Sequence, residues 1–125
     1  MTDRTVRPAV RRDHVVVMLR RLSLNEHGAL ELLVGLALIA APFALGFGPA
    51  GLATSMAAGA VIAGLGLSAE MPISTHMTAD LTVALAVLAL AVMVSGSDAV
   101  AGGVLAAASA GELALGALTR WTRRA

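Results

Sequence analysis

The sequence contains no cysteine, no lysine and no tyrosine, and has one tryptophan and two phenylalanines among its 125 residues. The missing cysteine excludes disulfides and thiolate metal centres, and leaves the redox compartment open. With so few aromatics, the interleaved basic and stacking surface of a nucleic-acid binder cannot be built, so no nucleic-acid partner is expected. Charge is the other shortage: 14% of residues are charged, and no arginine lies between Arg21 and Arg120. A soluble domain needs charge on every surface element, whereas this chain keeps most of it at its two ends. No nucleophile–base pair, dense histidine cluster or glycine-rich phosphate loop is present either. Neither an enzyme nor a bound cofactor is therefore expected.

What the chain does have is Ala, Leu, Val and Gly. It is 58% hydrophobic with a mean hydropathy of +0.84, against roughly 45–50% apolar residues in soluble domains. The central run is Glu31 to Gly48, ELLVGLALIAAPFALGFG, which is long enough to enter a bilayer. Ser23-Leu-Asn-Glu26 has the spacing of a capping box, so the first helix is expected from about residue 24 to 47. Pro42 is expected to kink its outer end, and Gly46-Phe-Gly-Pro49 reads as a turn. Residues 51–69 form a return helix in which Gly59, Ala60 and Gly64 offer small-residue packing. A polar connection follows at 70–78, then a third span at 79–95. Ser97 or Asp98 caps a fourth helix over 99–119, rich in small residues at Gly102, Gly103, Ala107 and Gly111.

The expected fold is all-α: an integral membrane four-helix bundle of two tandem transmembrane hairpins, 23–69 and 79–119, joined by the 70–78 loop. A basic segment, 1–22, precedes it and a basic tail, 120–125, follows. Six arginines lie in 1–22, and residues 9–22 read equally as an interfacial amphipathic helix or a partly ordered tail. A secretory signal is not expected, since the main apolar run starts late and ends in Pro-Phe and Gly-Pro. Arg20, Arg21, Arg120 and Trp121 are the expected interface anchors, with anionic lipid headgroups as their partners. The positive-inside rule places both ends and the 70–78 loop in the cytoplasm.

The chain also repeats itself. Shifted by 49, His27-Gly-Ala-Leu-Glu31-Leu-Leu-Val-Gly-Leu-Ala-Leu-Ile-Ala40 lies on His76-Met-Thr-Ala-Asp80-Leu-Thr-Val-Ala-Leu-Ala-Val-Leu-Ala89, with six of fourteen positions identical. Matches of Leu, Val and Ala are cheap in such a sequence, whereas the paired histidines and the Glu/Asp match are not. The hairpins are thus expected to be parallel copies, the second eroded beyond Ala89.

The segment GLALIAAPFALGF, with its Gly-rich return helix, resembles the SPW-repeat family of small prokaryotic membrane proteins. That family is named for a Ser-Pro-Trp triplet near the outer end of the first helix of each hairpin unit. Here the triplet reads Ala41-Pro42-Phe43, with proline kept, an aromatic in place of tryptophan and serine lost. The second unit has no equivalent at Leu90-Ala91-Val92. The resemblance covers about residues 30–100. It implies hairpin architecture in a prokaryotic plasma membrane and supplies no catalytic residues.

Three sets of residues could carry chemistry. His27 and Glu31 are four apart, as are His76 and Asp80, so each pair shares a helical face. Two histidines and two carboxylates meeting across a pseudo-two-fold could ligate a divalent metal or relay protons. The plainer interpretation has the carboxylates complementing helix N-termini and the histidines among headgroups. Glu112 lies well inside the fourth span, about 10 Å from its inner end, and an intramembrane acid is a functional candidate by default. It could equally be protonated, snorkel, or pair with Ser or Thr. Met56, Met71, Met77 and Met93 read as packing residues. Two main functions fit these features, beside a weaker third, an inner-leaflet lipid sensor working through the arginine-rich segment 1–22. One is a structural, scaffold or accessory component that associates with itself or another membrane protein. The other is an ion, proton or metal transporter or sensor using His27, Glu31, His76, Asp80 and Glu112. The sparse intramembrane polarity favours the first.

Overall fold

A computed structural model of the chain describes residues 22–68 and 70–122. It contains helices α1 (Leu24–Leu45), α2 (Pro49–Gly66), α3 (Ile73–Ser95) and α4 (Ala99–Leu118). All four are long and apolar enough to cross a membrane. The protein is a small multi-pass membrane protein of all-α class. The expected interfacial helix over 9–22, with Arg20 and Arg21, lies mostly outside the described residues.

The helix ends follow their local chemistry. Ser23 and Glu26 form the reciprocal capping box, the Ser23 amide donating to Glu26 Oε2 at 2.7 Å and the Glu26 amide to Ser23 Oγ. At the far end Gly46 takes the left-handed conformation, φ 68°, which favours glycine. The amides of Gly46 and Phe47 both donate to the Pro42 carbonyl. Pro49 opens α2 at its first turn, where a missing amide is harmless. Asp98 caps α4 and reaches across to the other hairpin, accepting from the Ala101 amide at 2.9 Å and the Gly48 amide at 2.8 Å.

The return helix expected over 51–69 spans Pro49–Gly66, and the largest difference from expectation is at the start of α3. Residues 73–78, assigned to the polar connection, already belong to α3. Pro72 sets the entry to the helix, and the hydroxyls of Thr78 and Thr82 donate back to the carbonyls of Ser74 and Thr78. Polar residues whose hydroxyls bond within the helix do not interrupt it.

Within each hairpin the helices pack closely, α1 on α2 and α3 on α4, whereas the two hairpins meet along a much thinner seam. The close approach in the first hairpin is made by facing glycines. A β-carbon on Gly35 would stand 2.5 Å from the Ala63 nitrogen, and one on Gly66 would stand 2.5 Å from the Gly28 carbonyl oxygen. Of the expected packing residues Gly59 and Gly102 serve this way, while Gly64, Gly103 and Gly111 face open space and Ala60 and Ala107 are exposed. Helical phase, which small-residue content does not reveal, decides between them. Leu38, Ala58, Ile62, Val87, Ala91 and Leu105 form the mid-bundle core. Phe47, Val94 and Ala101 form a smaller cluster toward the outer turns. Met56, Met77 and Met93 are not core packing; all three are exposed.

Pro42 is buried within α1, and the helix continues past it to Leu45. Proline has no amide to give the carbonyl four residues back, here that of Leu38. The buried Ser55 hydroxyl from α2 donates to that carbonyl at 2.7 Å. α4 makes a related contact in the second hairpin, where Ser109 Oγ donates to the Ala84 carbonyl at 2.8 Å.

Candidate metal centre

The helical start of α3 puts His76 and Asp80 one turn apart on one face, as the start of α1 does for His27 and Glu31. Both pairs lie at the bundle end where the chain enters α1 and leaves α4. The two faces point at each other across the seam. His27 Nε2 stands 3.3 Å from Glu31 Oε1 and 3.1 Å from Asp80 Oδ2. His76 Nε2 stands 3.2 Å from Glu31 Oε2 and 3.4 Å from Asp80 Oδ1. The four side chains therefore form a closed ring in which histidine and carboxylate alternate, and each histidine touches the carboxylate of both hairpins. One ligand atom from each of the four lies within 4.8 Å of the others. His27, Glu31 and Asp80 are buried, and the His76 side chain is 12% exposed.

A strap closes the same end. Leu22 and Thr119 form a short parallel bridge, the Leu22 amide donating to the Leu118 carbonyl and the Arg120 amide to the Leu22 carbonyl. This brings Thr119 Oγ1 to 2.8 Å from His27 Nδ1. Trp121, the expected interface anchor, lies edge-on to His27 with centroids 5.1 Å apart and tilts over His76 at 6.2 Å, its indole N–H donating to the Gly116 carbonyl. Thr119 and Trp121 are the members of the site that sequence reasoning missed. The available signal was topological: an even number of spans returns the end of α4 to the start of α1.

Hydrogen-bond direction constrains His27. The Thr119 hydroxyl lies within reach of two acceptors, the Leu115 carbonyl at 2.7 Å and His27 Nδ1 at 2.8 Å; with its proton on the carbonyl, it accepts from a protonated Nδ1. Nε2 is left facing two carboxylate oxygens. A bare lone pair there would be repelled by both, so the geometry favours a proton or a cation between them.

Hydrogens on the two Nε2 atoms do not satisfy the ring. Hydrogen-bond geometry is met from His27 to Asp80 Oδ2 and from His76 to Glu31 Oε2. Glu31 Oε1 and Asp80 Oδ1 remain buried with no hydrogen-bond partner. Glu112 on α4 is buried as well, within electrostatic reach of Glu31, Asp80 and His27, and its Oε1 has no hydrogen-bond partner. It neither snorkels nor gains a serine or threonine partner at that oxygen. Arg120 is exposed, and its backbone holds the strap.

Beyond Glu112 the interior turns apolar. The core through Leu38, Ile62, Val87 and Leu105 is tightly closed, and Ser55 and Ser109, the buried hydroxyls at that depth, are both committed to carbonyls. Comparison with known protein families, with curated proteins and with solved structures finds no match for the chain.

Proposed function

We propose that this protein is a non-conducting, non-enzymatic membrane component whose two hairpins are joined by a cation held in the His27–Glu31–His76–Asp80 ring. Pairing of the hairpins, and with it any docking of a further membrane protein, then depends on that cation. One observation carries this: His27 reaches Asp80 and His76 reaches Glu31 across a seam that is otherwise thin. The apolar core beyond Glu112 supports a site that binds over one that transports. The arginine-rich ends support a cytoplasmic location for the site in a plasma membrane, the side from which the cation would enter.

The test compares the wild type with a His27→Ala/His76→Ala variant in proteoliposomes. With one cysteine introduced in each outer turn of the cysteine-free chain, spin labels report the distance between hairpins. The wild type should give one narrow distance, and the variant a broad distribution. Proton or metal flux should be at background for both. An unchanged distance in the variant would remove the joining role, and a flux abolished by the substitutions would replace binding with transport.

A further inference from the structure

Resting on the proposal that a cation joins the hairpins, we infer that the cation is a divalent transition-metal ion of the zinc, cobalt or nickel type. Its ligands are His27 and His76 through Nε2, with one carboxylate oxygen each from Glu31 and Asp80.

The donor set disfavours calcium, magnesium and copper(I). Two imidazoles with two carboxylates and no thiolate suit borderline first-row divalent ions. Calcium and magnesium prefer all-oxygen shells, and copper(I) prefers sulfur. The spacing agrees: ligands about 2.0–2.1 Å from a tetrahedral zinc stand roughly 3.3 Å from one another. Each Nε2 stands 3.1 to 3.4 Å from an oxygen of both carboxylates, the two histidines facing different oxygens, and one ligand atom from each of the four side chains lies within 4.8 Å of the other three. Charge agrees too, since two neutral imidazoles and two carboxylates carry two negative charges that one divalent ion cancels.

A pair of protons links the side chains two by two, His27 to Asp80 and His76 to Glu31, whereas one central ion engages all four side chains at a single point. The outer contacts are those a metal-bound histidine needs. Thr119 Oγ1 lies 2.8 Å from His27 Nδ1 and can accept its hydrogen, which would hold the tautomer that presents the Nε2 lone pair inward. Trp121 holds both rings against rotation.

The full chain, purified in nanodiscs and stripped with chelator, is titrated with Co2+ and with Zn2+ under excess Mg2+. One equivalent should bind per chain. The cobalt form should show the intense visible bands of a tetrahedral nitrogen–oxygen site, and Zn2+ should bleach them. Trp121 is the single tryptophan, so Ni2+ or Cu2+ at the ring should quench nearly all the indole emission. His27→Ala and Glu31→Gln should each weaken binding by more than about 100-fold, and Thr119→Val by about 10- to 100-fold, whereas the exposed Glu70→Gln should leave it unchanged. Glu31→Gln keeps the side-chain volume, so its helical circular dichroism separates lost ligation from lost fold. Absence of saturable binding in a folded chain with paired hairpins overturns the metal and leaves the joining role to protons. Binding that survives both histidine substitutions also overturns it. Unchanged hairpin pairing in the metal-free double-histidine variant would instead sink the underlying joining role.

Discussion

Pro42 and Ser55 show how a residue-level defect in lipid is repaired from a neighbouring helix. The proline leaves the Leu38 carbonyl without its usual amide, and with no water in the hydrocarbon the carbonyl must find another donor. Ser55 supplies it. Ser55→Ala should therefore cost roughly 1–3 kcal/mol, the penalty for an unpaired buried acceptor. Ser109→Ala, at a carbonyl with no proline four residues on, should cost nearer the roughly 0.6 kcal/mol typical of interhelical bonds in membranes. Unfolding in mixed micelles measures both, and Pro42→Ala should shrink the Ser55→Ala penalty by restoring the amide. Asp98 gives the residue-scale pH dependence outside the spans. The Ala101 amide, and after it the Gly48 amide, hold its carboxyl below the usual carboxylate range. A carboxylate whose folded pKa is depressed stabilises fully above its unfolded value, about 3.9, and its contribution fades as pH falls through the folded value. Hydrogen-exchange protection of the Gly48 and Ala101 amides should drop in acid. In Asp98→Asn it should be low at neutral pH and show no acid step.

At the scale of the elements, the first hairpin is a glycine-to-backbone contact and the second is looser in composition. Gly35 and Gly59 face each other so closely that a β-carbon on either meets the partner's backbone near 2.5 Å. Backbone cannot give way as a side-chain tip can. Gly35→Val and Gly59→Val should each destabilise the hairpin by about 1–3 kcal/mol, seen as a lower midpoint in thermal unfolding, while Gly64→Ala, with open space around it, should be silent. How much of this was legible can be judged from the same residues. The capping box at Ser23, the turn at Gly46 and the cap at Asp98 rest on contacts within a few positions, and they were readable. Which glycines pack was not, because it depends on helical phase relative to a partner, and Gly59 and Gly64 look alike in one dimension. The α3 start was misplaced because Ser74, Thr75 and Thr78 resemble loop residues, yet the Thr78 and Thr82 hydroxyls bond inside the helix.

For the whole molecule the weak element is the seam between hairpins, and the ring of four ionisable groups sits on it. Removing a single partner strands buried charge, so Asp80→Ala should cost about 3–5 kcal/mol. Replacing all four by apolar residues of like volume should cost little or even stabilise, with metal binding gone and the bundle intact by circular dichroism. That contrast would separate a site kept for what it binds from one kept for stability. Sequence alone determined that the chain has four spans in two related hairpins and that each carries a His–carboxylate pair at the same depth. Those properties are set by hydrophobic run length and helical period, which are local. It could not decide whether the pairs meet, nor that Thr119 and Trp121 complete the site, nor that Ser55 serves Pro42. These depend on the rotation of one helix against another, and that is set by the sum of many weak contacts across the bundle. The tertiary structure turned two isolated motifs into one closed ring, because packing hairpin on hairpin brings His27 to Asp80 and His76 to Glu31.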